Sequence, residues 1–268
     1  MSALTPTVIE TRKLRKVYTP NDIAVLALDD ISFAAEEGSF VSLVGPSGCG
    51  KSTLLQILAG LISSSSGEVL VDGAPVRSPM PGKIAVVFQD ATLLPWKTVI
   101  ENVEFPLEIQ GVRSAERRQR ADAMLSLVGL ADFGGRHPHE LSGGMRQRVS
   151  IVRGLAQNPR IILMDEPFGA LDEQSRLKMG KELLRIWSKT GKTIFFITHS
   201  LTEALFLSDV VLVMSQRPGR IVDVIRTGLP RPRTYDMVGS AEFGAARNRI
   251  WKLIGGDQTD ADAGLTGL

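Results

Sequence analysis

"FVSLVGPSGCGKSTLLQILAG", residues 40–60, runs from a five-residue stretch that is apolar but for Ser42 through a glycine-rich turn into a helical pattern that Gly60 ends. A G-x-x-x-x-G-K-[ST] stretch set between a strand and a helix is a phosphate loop. Its nine positions are Gly45, Pro46, Ser47, Gly48, Cys49, Gly50, Lys51, Ser52 and Thr53. The glycines let successive backbone N–H groups converge on a triphosphate. Lys51 is placed to reach its β and γ phosphates, Ser52 to ligate Mg²⁺, and the helix to point its positive end at the anion. Cys49 reads as a small residue that fits the loop. Its position predicts a thiol beside bound phosphate, sensitive to reagents and protected by Mg·ATP.

Outward from this loop, further strand-like runs follow at 68–71, 84–88, 161–165, 193–198 and 210–214. Several are apolar throughout, as strands buried on both faces of a parallel sheet are. Helical stretches at 51–59 and 173–189 separate them, the second with Leu177, Leu184 and Trp187 on one face and Gly191 after its end. Between Gln89 and about Asn158 strand signals give way to helical ones, including "SAERRQRADAMLSLVGL" with Ser114 as cap and Gly129 as stop. Residues 7–36 are β-branched and alternating, which predicts a small antiparallel flap. The reading is an α/β fold with one ATPase-sized domain over 7–255. Its core covers 7–94 and 159–225, with a helical insertion over about 95–158. The small, acidic stretch 256–268 is expected to be a disordered tail.

Composition narrows the classes. Of 268 residues, 43% are hydrophobic and 22% charged, the balance of an ordinary globular chain. The net charge is +2 with acids and bases interspersed, so nucleic acid is not implied as a partner. With Cys49 as the single cysteine, an internal disulfide is excluded. The start "MSALTPTVIETRK" lacks the pattern of a secretory signal, and apolar runs fall far short of the ~20 residues of a membrane helix, so a soluble chain is expected.

Carboxylates complete the hydrolytic pattern. "IILMDEP", 161–167, delivers Asp165 and Glu166 at the carboxyl end of a strand, the edge where α/β sheets hold ligands. Asp165 suits water-mediated contact with Mg²⁺, and Glu166 suits polarising an attacking water. His199 follows "TIFFIT" and Gln89 follows "IAVVF", both at strand ends. A lone histidine is more often structural, and the Gln89 amide could touch Mg²⁺, the attacking water or nothing. His137 and His139 lack metal-ligand partners at useful spacing.

A second glycine-rich step, "LSGGMRQR" at 141–148, enters another helix and offers Ser142, Gly143 and Gly144 as donors. With this stretch, the phosphate loop, "MDEP" and "TH" in that order, residues 8 to 225 resemble the ATP-binding subunits of ABC transporters. The resemblance implies a P-loop NTPase (RecA-like) core with a mainly parallel sheet, a small N-terminal antiparallel β subdomain and an inserted helical subdomain. It implies ATP and Mg²⁺, and a head-to-tail homodimer in which the signature of one copy faces the ATP on the phosphate loop of the other. It assigns Tyr18 to stacking on adenine, Gln89 to sensing Mg²⁺ and coupling to the membrane partner, and His199 to the γ-phosphate. "ALD", 170–172, would line the dimer contact, with Asp172 across from the partner's loop.

"FQDATLLPWKTVIENV" at 88–103 and "MSQRPGRI" at 214–221 are similar to ATPase subunits of nitrate, sulfonate, taurine and bicarbonate importers. That narrower likeness implies two integral-membrane permease subunits, an indirect solute-binding protein, and a peripheral place on the cytoplasmic face of the inner membrane. The permease is expected to dock around 95–115, near Leu94, Pro95 and Trp96. Two other readings compete: a soluble ABC-type ATPase of an assembly or nucleic-acid machine, and a small-molecule P-loop kinase. The first lacks a long heptad insertion, and the second leaves "LSGGMRQR" and His199 idle.

Overall fold

A computed structural model describes residues 5–169 and 171–255. The expected tail, 256–268, and Ala170 of the "ALD" stretch lie outside the described residues. Among the described residues two sheets form. The larger has the order β10 (Ile221–Arg226), β9 (Val210–Met214), β3 (Phe40–Val44), β8 (Thr193–Ile197), β7 (Ile161–Asp165), β6 (Ile84–Val87). Its strands pair in parallel except β10, which closes the edge antiparallel to β9. The smaller sheet runs β2 (Val25–Glu36), β1 (Thr7–Tyr18), β4 (Ser66–Val71), β5 (Ala74–Pro75), all antiparallel.

The central strands are mostly apolar because each face has its own partner. On one face Val41, Leu43, Leu163, Phe195, Ile197 and Leu212 pack with the small sheet and with α1 (Lys51–Leu58), where Phe33 and Phe195 stack at 5.5 Å. On the other face Phe40, Val44, Met164, Phe196 and Val213 meet the helices. Those are α2 (Val99–Ile109), α3 (Ser114–Leu127), α4 (Gly143–Ala156), α5 (Glu173–Thr190), α6 (Leu201–Leu207) and α7 (Ala241–Leu253). Alternate residues of a strand point to opposite faces, so two buried faces leave no polar–apolar alternation to read, and the polar exceptions Ser42 and Thr193 are hydrogen-bonded. No helix among the described residues is long and apolar enough to cross a membrane.

Four sequence expectations change. Residues 68–71 belong to the antiparallel sheet, with Ile9 opposite Val71 and Thr11 opposite Val69. A short apolar run does not reveal which sheet it joins. Ser114 is not a cap, because α3 starts one residue earlier than expected and Arg113 takes the flanking position without a side-chain bond. On α5 the deepest stripe is Met179, Leu183 and Ile186, while Leu177, Leu184 and Trp187 are half-buried on its flank. Strand β10 and helix α7 extend the fold past the last strand expected from sequence, and α7 sits against α6 and β10.

Candidate nucleotide site

Parallel pairing gathers the site. Val87 lies beside Met164, Asp165 beside Ile197, and Leu43 beside Ile197 in the ladder. The residues that follow these strands, Gln89, Glu166, His199 and Gly45, therefore emerge along one edge of the sheet.

The loop between β3 and α1 is built by glycine backbone. Gly50 has φ +105°, and a Cβ there would stand 2.8 Å from Leu28 Cδ2. Gly48 has φ +72° and faces open space. Both lie where L side chains are strained. Lys51 is buried, and its ammonium bridges the loop by donating to Gly45 O and Pro46 O, each at 2.9 Å. Arg217, on the turn after β9, donates to Gly48 O at 3.2 Å. The first-turn N–H groups of α1 have no intrahelical acceptors and point out of the helix end.

Cys49 overturns its expectation. The thiol is 1% exposed and packs in the core between the sheets, with its Sγ 4.0 Å from Lys51 Nζ beneath the loop. Burial pushes its pKa up, with nearby Lys51 opposing. A neutral buried thiol reacts slowly, because the thiolate is the nucleophile.

Ser52 is exposed at the start of α1, on the side of the Asp165 carboxylate at the end of β7, close enough to favour its ionised form. Burial raises the pKa of Asp165, against the pull of Ser52. Thr53 Oγ1 lies 3.4 Å from Tyr18 OH. Tyr18 is not a core residue: it is 37% exposed, with Lys16 Nζ 4.9 Å from its ring centre. Glu166 adopts φ +43°, an uncommon backbone for a side chain of its size. Its N–H donates to Ile197 O at 2.9 Å, its carbonyl accepts from Gly169 N at 3.0 Å, and its Oε2 lies 3.1 Å from His199 Nδ1. Gln89 reaches the same turn, since a Cβ on Gly169 would stand 3.1 Å from its Nε2.

Behind His199 lies a network that the sequence reading missed. Thr198 Oγ1 donates to Glu203 Oε2 at 2.6 Å, and Arg176 Nε lies 3.2 Å from Glu203 Oε1. Burial pushes the Glu203 carboxyl up. The available signal was one acid in the mostly apolar "LTEALFL". Arg217 was missed too, although it sits in a basic turn at a strand end.

The second cradle stands apart. Ser142 caps α4, its Oγ accepting from Met145 N at 3.3 Å and keeping its own hydrogen to donate. Nothing among the described residues lies within 4 Å of a Cβ built on Gly144. These residues share a cleft of about 540 Å³ with Leu171, Asp172 and Ser175, and no residue of 45–53 lines it. Asp172 caps α5: its Oδ1 accepts from Ser175 N at 2.9 Å and its Oδ2 from Ser175 Oγ at 2.6 Å, which lowers its pKa.

A glycine-rich loop at a helix N-terminus, with paired carboxylates on the adjacent strand end, defines a P-loop nucleotide hydrolase. The ABC transporter profile matches residues 28–169. A taurine import ATP-binding protein of Rhizobium johnstonii is 51% identical over 235 residues, 86% of this chain and 89% of that one. A nitrate import ATP-binding protein of Synechocystis is 43% identical over 258 residues, 94% and 97% of the two chains. Among solved structures, a dimeric post-hydrolysis ATP-binding cassette bound to ADP and Pi is 33% identical, with a TM-score of 0.72, covering 83% of this chain and all of that one. The chain belongs to the ABC transporter family and is one of its ATP-hydrolysing, energy-coupling subunits.

Proposed function

We propose that the chain drives import of a small anion or organic solute of the nitrate, sulfonate and taurine class. It works as a head-to-tail homodimer under two integral-membrane permease subunits, which receive solute from a binding protein, and sits peripherally on the cytoplasmic face of the inner membrane. Residues 7–255 act as one ATPase domain, with the insertion over about 95–158 facing the permease. Trp96, 72% exposed beside Leu94 and Pro95, is the apolar contact offered there. The names of the taurine and nitrate relatives support the solute class.

The observation that carries the dimer is the separation of the two cradles. The cleft at Ser142, Gly143 and Gly144 has no wall from the phosphate loop of its own chain. Donors that cannot serve their own triphosphate can serve that of a partner copy. ATP then bridges two surfaces, and ADP, lacking the bridged group, does not.

Within each half-site the loop N–H groups and Lys51 take the β and γ phosphates, and Tyr18 lies beside the adenine. Ser52, Gln89 and, through water, Asp165 present oxygen donors of the kind that a hard cation such as Mg²⁺ takes, and Ser52 and Asp165 lie near each other. When bound, Mg²⁺ neutralises phosphate charge. Glu166 polarises the attacking water, and His199 steadies that carboxylate and touches the γ-phosphate. Asp172 faces the partner's loop. Light scattering on the Glu166→Gln protein tests the dimer: Mg·ATP should double the mass and Mg·ADP should not. A monomer with both nucleotides would overturn it.

A further inference from the structure

Arg233 holds a buried charge with inadequate compensation. Its side chain is 1% exposed. Nη2 donates to Ser208 O at 2.9 Å and Thr227 Oγ1 at 3.1 Å, while Nε and Nη1 have no partner among the described residues. Asp209 is 3.9 Å away and already engaged. Its Oδ1 accepts from Arg231 Nε and Nη2 at 3.0 and 2.8 Å, and its Oδ2 from Phe40 N at 2.9 Å. Two guanidiniums thus share one carboxylate. Burial, and then Arg231, push the pKa of Arg233 down to about 10. A buried cation so placed is costly unless an anion completes its surroundings.

A cleft of about 630 Å³ opens beside it, between the C-terminal half of α5 and residues 231–236. Lys181, Arg185, Trp187 and Arg231 stand in its walls with Arg233. Trp187 Nε1 is a second buried donor without a partner among the described residues. The Arg231 guanidinium is held 4.0 Å from the Trp187 ring centre, and Lys181 Nζ lies 5.3 Å from that of Tyr235. Of the acids nearby, Glu182 is taken by Arg185 at 2.9 and 2.6 Å and Asp209 by Arg231. Among the described residues that line the cleft, Asp236 is the one acid. No residue of 45–53 or 142–145 lines this cleft, so it is separate from both phosphate cradles.

We propose that this cleft binds a sulfate-sized oxyanion, held by Arg233 and Arg231 with Lys181 at the rim and the Trp187 indole N–H as a neutral donor. The unpartnered N–H groups of Arg233 Nε and Nη1 and of the Trp187 indole match the acceptor-only surface of such an anion, while Arg231, its Nε and Nη2 engaged by Asp209 and Leu207, adds positive charge. The site does not depend on the transport reading.

Inorganic sulfate is the probe. In a Trp96→Phe, Trp251→Phe protein, Trp187 is the sole indole of the chain. With a non-hydrolysable ATP analogue and Mg²⁺ saturating the phosphate loop, sulfate should change its fluorescence saturably, and chloride at matched ionic strength should not. Arg233→Met should abolish the response. Lys181→Gln, an exposed position whose loss spares the core, should weaken sulfate at least threefold even if Arg233→Met does not fold. A sulfate response no different from chloride, or one unchanged in Lys181→Gln, would overturn the site.

Discussion

Glu166 Oε2 and His199 Nδ1 lie 3.1 Å apart across the ends of β7 and β8, joining the two side chains into one unit. Main-chain bonds fix the Glu166 end: its N–H is tied to Ile197 and its carbonyl to Gly169, in a left-handed conformation. Glu166→Gln should bind ATP yet lose turnover by on the order of 10²–10⁴, the scale of a missing general base. Groups that act as a unit are strongly non-additive. His199→Ala added to Glu166→Gln should therefore lower kcat by less than threefold more. Steady-state phosphate release decides, and fully multiplicative losses would show that the two residues act separately.

Asp165 leads to a trade between stability and binding. Burial raises its pKa in the folded protein, so its charged form is disfavoured there relative to the unfolded chain. Ionised at neutral pH it lowers stability, and the loss is relieved as pH falls through the raised value. Asp165→Asn keeps an acceptor near Ser52 and removes the charge. Without nucleotide, its melting temperature should exceed that of the parent at pH 7 and converge with it as pH falls toward the carboxylate range. Its affinity for Mg·ATP should drop. Calorimetric melts and nucleotide titration measure both, and a lower melting temperature at pH 7 would contradict the sign.

Chemistry required at fixed spacing was readable, whereas side-chain direction was not. Gly45 to Thr53, Asp165 and Glu166 are residue types that a phosphate site needs in a strand–turn–helix frame, so their order located the site edge. The strand at 161–165 was visible as four apolar residues ending in Asp165. Its partners were not, because pairing joins Asp165 to Ile197 across more than thirty residues. Cys49 lies in the loop that the sequence indicates, but its thiol is buried beneath that loop and not open to reagents, which residue type does not reveal. Arg217 at Gly48 and Glu203 behind His199 arise from tertiary closeness alone.

The inward thiol makes its own prediction. A buried, raised-pKa cysteine next to the loop should resist a thiol reagent in the native protein, with or without Mg·ATP, and react fully once denatured. Mass spectrometry of labelled protein reads this out. Rapid labelling that nucleotide blocks would place Cys49 in the cradle after all.

The separation of the two cradles yields the sharpest expectation. Ser142 sits at the mouth of its cleft with Gly144 facing open space, so a long side chain at 142 is accommodated without disturbing the helix core. The cap bond to Met145 N would be lost, a change of about 1 kcal/mol at this end of α4. Ser142→Arg should therefore fold and, as a monomer, bind Mg·ATP with parental affinity, because its phosphate loop is untouched. In the Glu166→Gln background it should fail to dimerise with ATP. Mixing it with a Lys51→Ala chain sharpens the result. In that heterodimer both defects fall on one nucleotide site: the Ser142→Arg signature faces the Lys51→Ala loop, and the other site keeps an intact loop and an intact signature. One working site per dimer should then restore hydrolysis to a mixture of two inactive proteins, whereas signatures acting within their own chains would leave each chain defective and the mixture silent.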